Sequence, residues 1–314
     1  MQAIRLHAFG AADQLVLQDV PAPVAGPREL LVRVVAAGVN PVDWKIRSGE
    51  LAGIFGVKAP LTPGWDAAGI VAAVGSDVDA FEPGDAVFFF ADFAHGGTYA
   101  EFVAVDAAQV ALKPRTVSFA EAAALPTPAQ AAWRAVVEIA NVQPGQKVLV
   151  HGGGGPLGSA AAQLARHAGA HVSVTAGAGS IAIARATGAD QVIDYQRQDF
   201  AALVRDADLV IDTVGGAVQE ASWSVLKKGG LLLATTMPPS PERAAAAGVR
   251  AQMLQTPPRG EVLAKLAELV DAGRLRVAVS HEFALADAAL AHRLGESGRA
   301  RGKIVLHAGL PARA

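Results

Sequence analysis

The 314-residue chain contains no cysteine. That absence excludes a disulfide framework, a cysteine nucleophile, an iron–sulfur cluster and any zinc site built on thiolates. Aromatic residues make up only 5% of the chain, and two of them are tyrosines, Tyr99 and Tyr195, so few phenolic proton donors are available. Neither sign of charge dominates. The 27 Lys and Arg residues stand against 29 Asp and Glu, which leaves no basic footprint for nucleic acid. Long apolar runs are missing too. The longest weakly charged stretch, residues 148–165, is broken by His151, Pro156 and several glycines, so no membrane span is expected. The opening MQAIRLHAFG has neither the apolar core of a signal peptide nor the Arg/Ser-rich pattern of a transit peptide. A cytoplasmic globular protein is expected.

What is present is a large supply of small apolar side chains. Hydrophobic residues make up 52% of the chain, enough for a sizeable core, and alanine alone is roughly a fifth of it. At about 150 residues per domain the length suggests two domains. The first third reads as short strands, at residues 29–37, 69–74 and 86–90. They are separated by turn signals at Pro27, Gly38, Pro63-Gly64, residues 82–85 and Gly96-Gly97. This pattern suggests an antiparallel, barrel-like domain. From about Phe119 the character changes. Apolar strands at 147–151, 171–175, 191–194, 209–213 and 231–235 alternate with helices at 156–168, 181–187 and 219–226. That alternation predicts a parallel sheet covered on both faces. Helices at 262–272 and 286–295 and a strand at 303–307 complete the chain, and Pro238–Pro241 and Pro257-Pro258 mark breaks.

The sharpest motif is KVLVHGGGGPLGSAAAQLARHAGA at residues 147–170. A strand runs through a glycine-rich turn into an alanine-rich helix, and Gly153, Gly155 and Gly158, with Pro156 and Leu157 between them, fit G-x-G-x-x-G. Glycine permits a tight turn and close approach of a pyrophosphate, while the helix N-terminus supplies free N–H groups. Dinucleotide binding is the expectation; a turn that merely packs a helix on a strand is the plainer alternative. About 20 residues on, where NAD sites carry an acid for the ribose 2′-hydroxyl, residues 175–180 read TAGAGS and contain no Asp or Glu. No carboxylate there would repel a 2′-phosphate, and the Thr175 and Ser180 hydroxyls are expected to hold one. NADPH is therefore the expected cofactor, with Arg185 read as a solvated helix residue.

With these motifs in place, the sequence resembles the medium-chain dehydrogenase/reductase superfamily, in particular its zinc-independent quinone oxidoreductases of the zeta-crystallin type. The resemblance is carried by GVNPVDWKIRSG at 38–49, PGWDAAGIVAAVG at 63–75, Gly84-Asp85, GGTYAEFV at 96–103 and the glycine turn. Further along come GAD at 188–190, VIDY at 192–195, DTVGG at 212–216, LKKGG at 226–230 and ESGRARGKIVL at 296–306. It implies an α/β protein in which a Rossmann NADP-binding domain, residues 122–257, is inserted in a GroES-like catalytic domain. That second domain, built from residues 1–121 and 258–314, is expected to be a mostly antiparallel β-barrel. The resemblance also places Asn40 and Trp65 where zinc alcohol dehydrogenases have a Cys and a His ligand, and Thr127 near the third ligand. The four-cysteine structural zinc loop has no counterpart around residues 91–97. No metal is expected, and His95 and His151 read as surface or packing residues.

Without a Lewis acid, the resemblance points to a small planar acceptor activated by its own conjugation, a quinone or an α,β-unsaturated carbonyl, bound in a cleft between the domains. Asn40 is expected to hydrogen-bond the cofactor ribose or the acceptor oxygen, with a plain turn residue before Pro41 as the alternative, and Thr127 to approach the nicotinamide ribose. Asp43 is expected either to orient a neighbour or relay a proton, or to serve simply as a helix cap or turn residue. Trp65 reads as an apolar wall or as core, and Phe89, Phe90 and Phe93 as pocket lining or core. Tyr195 is expected to flank the adenosine phosphate. No ionisable side chain is required as general acid, so solvent is the expected proton source. Residues 249–254 read as an edge strand at which a homodimer forms. Two alternatives stay open: an enoyl-thioester reductase, with Arg243, Arg250 and Arg259 at a groove rim, and a non-catalytic NADPH-binding protein.

Overall fold

The computed structural model describes residues 1–309; the 310–314 end of the expected catalytic-domain segment lies outside them. The chain forms two compact units. One comprises Met1–Thr127, Pro257–Gly273 and the stretch from Val277, and the other comprises Pro128–Thr256 with Arg274–Arg276. The first unit is thus assembled from both ends of the sequence, and the Pro257-Pro258 break marks a return to it. No helix among the described residues is long and apolar enough to cross a membrane.

The main sheet of the first unit orders its strands as Val279–Ala284, Lys303–His307, Glu29–Val39, Asp66–Val74, Ala86–Phe90 and Val110–Leu112, and Phe102–Asp106 also pairs with Glu29–Val39. Pairing is antiparallel except between Val279–Ala284 and Lys303–His307. Gln2–Leu6 and Leu15–Asp19 form a separate antiparallel pair. The expected barrel is corrected here to an open sheet: among the described residues its two outer strands do not pair with each other. Val110–Leu112 is only three residues long, and the helix Gly260–Asp271 covers it. A Cβ at Gly260 would collide with the Val110 carbonyl. A covered edge needs no closure to escape non-specific pairing. The core below the sheet contains Leu30, Val32, Trp65, Phe89, Phe90 and Ile304.

The second unit carries six parallel strands. In spatial order they are Gln191–Asp194, His171–Ala176, Lys147–Val150, Ala207–Asp212, Leu226–Ala234 and Arg250–Met253. In chain order this is 3-2-1-4-5-6, the arrangement of dinucleotide-binding sheets. Residues 148–150, 209–211 and 231–233 are all buried, as strands covered on both faces must be. The order reverses between Lys147–Val150 and Ala207–Asp212, so the carboxyl ends of these two strands flank the switch point where such sheets take ligands. The helix expected at 219–226 instead spans Ala217–Ser222, because Leu226 already belongs to the next strand.

Candidate active site

In the second unit, the strand Lys147–Val150 leads through His151 and the four glycines into the 12-residue helix Pro156–His167. Gly155 is its N-cap and offers no side chain to the first turn, and Pro156 follows it. The end of the helix therefore presents backbone donors and the positive end of its dipole. At two of its glycines the turn is closed so tightly that a side chain is excluded. A Cβ at Gly153 would lie 2.6 Å from the Val174 Cβ, and one at Gly158 would collide with the Gly152 carbonyl oxygen. Gly152 itself has φ of 72°, a left-handed conformation that glycine adopts without penalty. A cradle of bare backbone at a helix N-terminus suits a pyrophosphate, so these residues fit a dinucleotide cofactor.

The residues expected around the adenosine end divide between inside and outside. Thr175 is only 3% exposed; its hydroxyl bonds His151 Nδ1 at 3.1 Å and receives the Gly152 N–H at 3.4 Å. Thr175 thus braces the glycine turn from within. His151 is a packing residue, bonded through Nε2 to Ser222 at 3.0 Å, and burial pushes its pKa down to about 4. Ser180, half-buried, donates to the Gly177 carbonyl at 3.2 Å and stands against Gly154. Tyr195 is 59% exposed, with its hydroxyl over Gly177, 2.8 Å from where a Cβ would sit. Arg185 is exposed, as expected of a solvated helix position.

In the first unit, four side chains expected or unforeseen in the sequence converge below the surface. Asp66, fully buried, is the hub. Its Oδ1 accepts the Thr127 N–H at 3.0 Å and the Thr127 hydroxyl at 2.6 Å. Its Oδ2 accepts Asn40 Nδ2 at 2.8 Å and Lys303 Nζ at 3.1 Å. Lys303 also donates to Asn40 Oδ1. Thr127 sits at the start of the helix Pro126–Trp133, where a carboxylate is favoured by the helix dipole. Asp66 thus ties together Asn40 and Thr127, the two residues expected near the nicotinamide. Asp66 and Lys303 were not singled out in the sequence. A buried carboxylate in PGWD and a buried lysine in GKIVL find each other only in the folded chain.

Asn40 is fixed by its backbone as well. It precedes the helix Pro41–Arg47, and its N–H donates to Asp43 Oδ2 at 2.8 Å. Asp43 accepts the Tyr99 hydroxyl at 2.7 Å, and Tyr99 contacts His292 Nε2 at 3.2 Å. Asp43 and Tyr99 have no exposed surface, so Asp43 orients Asn40 rather than meeting solvent. Asp43 Oδ1 and His292 Nδ1 are buried without hydrogen-bond partners among the described residues.

Burial, outweighing the Asn40 and Tyr99 hydrogen bonds and the attraction of Lys303, pushes the Asp43 carboxyl up to about 7. Burial and then Arg47 push His292 down to about 3, and burial raises Tyr99. Between the ordinary aspartate value of 3.8 and about 7, the folded chain keeps a proton on Asp43 that the unfolded chain has released. The contribution of Asp43 to stability therefore falls as pH rises through that window. His292 and His151 act in the opposite direction below their ordinary pKa of 6.5, so the effect is read as a difference between proteins. Asp43→Asn is expected to gain stability relative to the wild type as pH rises from 4 to 7, by at most about 1.4 kcal/mol per pH unit. Urea denaturation across that range measures it, and a pH-independent difference would overturn the assignment.

Trp65, considered as a wall for an acceptor, has no exposed surface. It is core, with Gly96 pressed against its Nε1. Phe89 and Phe90 are core as well. Only Phe93 reaches outward, stacked on Phe55 at 4.1 Å between ring centroids and tilted against Trp65 at 5.3 Å. The donor set does not suit a zinc ion. Trp65 offers no lone pair, the Asn40 amide is committed to Asp66 and Lys303, and a lysine ammonium occupies the neighbouring space. Among the described residues no group of three His, Cys, Asp or Glu could hold a metal. Of the arginines considered for a groove, Arg243 pairs with Glu220 and Arg259 with Glu261.

Comparison with known proteins agrees with this geometry. Residues 26–115 match the alcohol dehydrogenase GroES-like domain, and residues 187–306 match the zinc-binding dehydrogenase family. A 2-methylene-furan-3-one reductase from Solanum lycopersicum is 34% identical over 318 residues, covering 98% of this chain and 79% of its own. The solved quinone oxidoreductase from Coxiella burnetii has a TM-score of 0.90 and 36% identity, covering 98% of this chain and 99% of that one. The Escherichia coli quinone oxidoreductase, solved in complex with NADPH, has a TM-score of 0.85 and 26% identity, covering 98% and 100%. The chain belongs to the medium-chain dehydrogenase/reductase superfamily, among its quinone oxidoreductases.

Proposed function

We propose that this protein is an NADPH-dependent reductase of quinones and α,β-unsaturated carbonyls that works by hydride transfer and without zinc. The observation that carries the reading is the Asn40–Asp66–Lys303–Thr127 cluster. It stands where the resemblance places the ligands of zinc dehydrogenases, and it supplies a hydrogen-bond donor instead of a metal. The Escherichia coli relative binds NADPH and the Solanum relative reduces a conjugated enone, which supports both halves of the proposal.

The glycine turn from Gly153 to Gly158 holds the cofactor pyrophosphate, with Tyr195 and Ser180 at the adenosine side. When bound, NADPH supplies the hydride. Conjugation makes the acceptor carbon electrophilic, so the task of the protein is to orient it and to meet the charge that develops on its oxygen. The remaining Asn40 N–H meets that charge, and solvent returns the proton. The acceptor lies against Phe93 and Phe55. Homodimer formation at Arg250–Met253, the outermost strand of its sheet, and a cytoplasmic location belong to the same proposal. Light scattering and cell fractionation test them.

NADPH oxidation with a panel of acceptors tests the reading. A quinone and a short enone are expected to turn over, NADH is expected to serve poorly, and a chelator is expected to change nothing. The highest efficiency with an enoyl thioester would favour that alternative. Tight NADPH binding with no turnover of any acceptor would favour a binding protein.

A further inference from the structure

We propose that Lys303 is a positioning residue that fixes the Asn40 side-chain amide in one orientation, so that Asn40 meets its ligand only as an N–H donor. The inference rests on the role given to Asn40 above. An asparagine amide has two nearly isosteric orientations, with C=O and NH2 exchanged, and only its partners choose between them. Here the choice is forced. Lys303 has donors and no acceptor, and it faces Asn40 Oδ1. Asp66 receives four hydrogen bonds, one of them from Asn40 Nδ2 at 2.8 Å. Exchanging the amide would set NH2 against an ammonium and C=O against a carboxylate.

The Lys303–Asp66 contact of 3.1 Å closes the triangle, and exposures of 2%, 0% and 4% for Lys303, Asp66 and Asn40 leave no water to relax it. The Asn40 carbonyl is consumed and one N–H remains. Such a group suits an oxygen that gains negative charge as its conjugated carbon accepts a hydride. The architecture makes room for the lysine. Lys303–His307 pairs with Glu29–Val39 so that Val305 lies opposite Gly38, and a Cβ at Gly38 would lie 3.0 Å from Lys303 Cε.

The chain has two asparagines, Asn40 and Asn141, and Asn141 is exposed. Asparagine-selective nitrogen-15 labelling therefore reads Asn40 without ambiguity. The wild type is expected to show one side-chain amide protected from solvent exchange and one unprotected. In Lys303→Met the protected amide should shift and exchange at least about tenfold faster. In turnover, Lys303→Met should lower kcat about tenfold while leaving the NADPH Kd within about threefold, and should cost nothing further in an Asn40→Ala background.

An unchanged Asn40 amide in Lys303→Met would overturn the inference, as would an equal loss of kcat in both backgrounds, which is what a merely structural role predicts. Lys303→Gln, neutral but polar, serves if Lys303→Met does not fold, with the same two readings. If the wild type turns over no acceptor, the functional reading falls while the amide measurement still decides the role of Lys303.

Discussion

Asp66→Ala is expected to remove about 3–5 kcal/mol of folding stability, the cost of leaving a buried charge without its partner. Lys303, 2% exposed, would keep only the neutral Asn40 carbonyl. The Thr127 N–H and hydroxyl and one Asn40 N–H would lose their acceptor in the same step. Asp66→Asn is expected to be little better, because its amide must turn either an NH2 toward Lys303 and Asn40 or an NH2 toward Thr127, and donors meet donors in both cases. The double variant Asp66→Ala/Lys303→Met removes both charges, so it should be more stable than Asp66→Ala alone. Chemical denaturation of the three proteins checks this. A loss below about 1 kcal/mol in Asp66→Ala, within the range of an exposed ion pair, would mean that water reaches the cluster and that the burial argument fails.

The second large effect concerns the glycine turn, where two substitutions of the same kind are expected to do different things. Gly155 has φ of −87°, and the nearest atom to an added Cβ is the Gly152 carbonyl oxygen at 3.3 Å. Gly155→Ala should therefore fold with stability within about 0.5 kcal/mol of the wild type. Its methyl group, however, stands where a pyrophosphate approaches the helix N-terminus. NADPH affinity should fall about 100-fold, or about 2.7 kcal/mol. At Gly158 the added Cβ collides with backbone that has no room to give, so Gly158→Ala should cost about 1–3 kcal/mol of stability and lose the cofactor with it. Fluorescence titration with NADPH and thermal unfolding of both proteins separate the cases. Unchanged NADPH affinity in Gly155→Ala would remove the pyrophosphate from this turn.

The nucleotide-binding unit was legible because its signals are local. The strands around Val148–Val150 and Leu209–Ile211 are apolar on both faces, and Gly188, at φ of 74°, ends the helix Ile181–Ala186 where the sequence expected it to stop. The first unit was harder to read. Asn40-Pro41 with Asp43 is a helix-start pattern, an N-cap residue followed by proline and an acid at the third position, yet it suggested only a cap at Asp43 and not the range of the helix Pro41–Arg47, whose N-cap is Asn40. The barrel expectation failed because strand count and turn spacing do not say whether the last edge will be paired or covered. Covering it took the helix Gly260–Asp271, which is more than a hundred residues away along the chain.

The site was read in the same uneven way. Asn40 and Thr127 were expected from the resemblance, but the side chains that hold them were not. Asp66 and Lys303 are ordinary charged residues in their own segments, and only tertiary pairing across 237 positions gives them meaning. Thr175 and Trp65 show the other side of this. Their chemistry suited a ligand, yet Thr175 lies in the fully buried end of its strand, and Trp65, just before the strand Asp66–Val74, took the core reading of its two alternatives.

That separation also orders events during synthesis. Asn40 and Lys303 lie 263 positions apart, and the whole of the nucleotide-binding unit lies between them. At about 5–20 residues per second, roughly 13–50 s pass on the ribosome between the appearance of one and the arrival of the other. The inserted unit has its whole sheet in hand during that interval, while Asp66 has its partners Asn40 and Thr127 in the chain already made but still lacks its lysine. The strand that delivers Lys303 is made only after the whole nucleotide-binding unit, so the site cannot be completed before that unit has been synthesised.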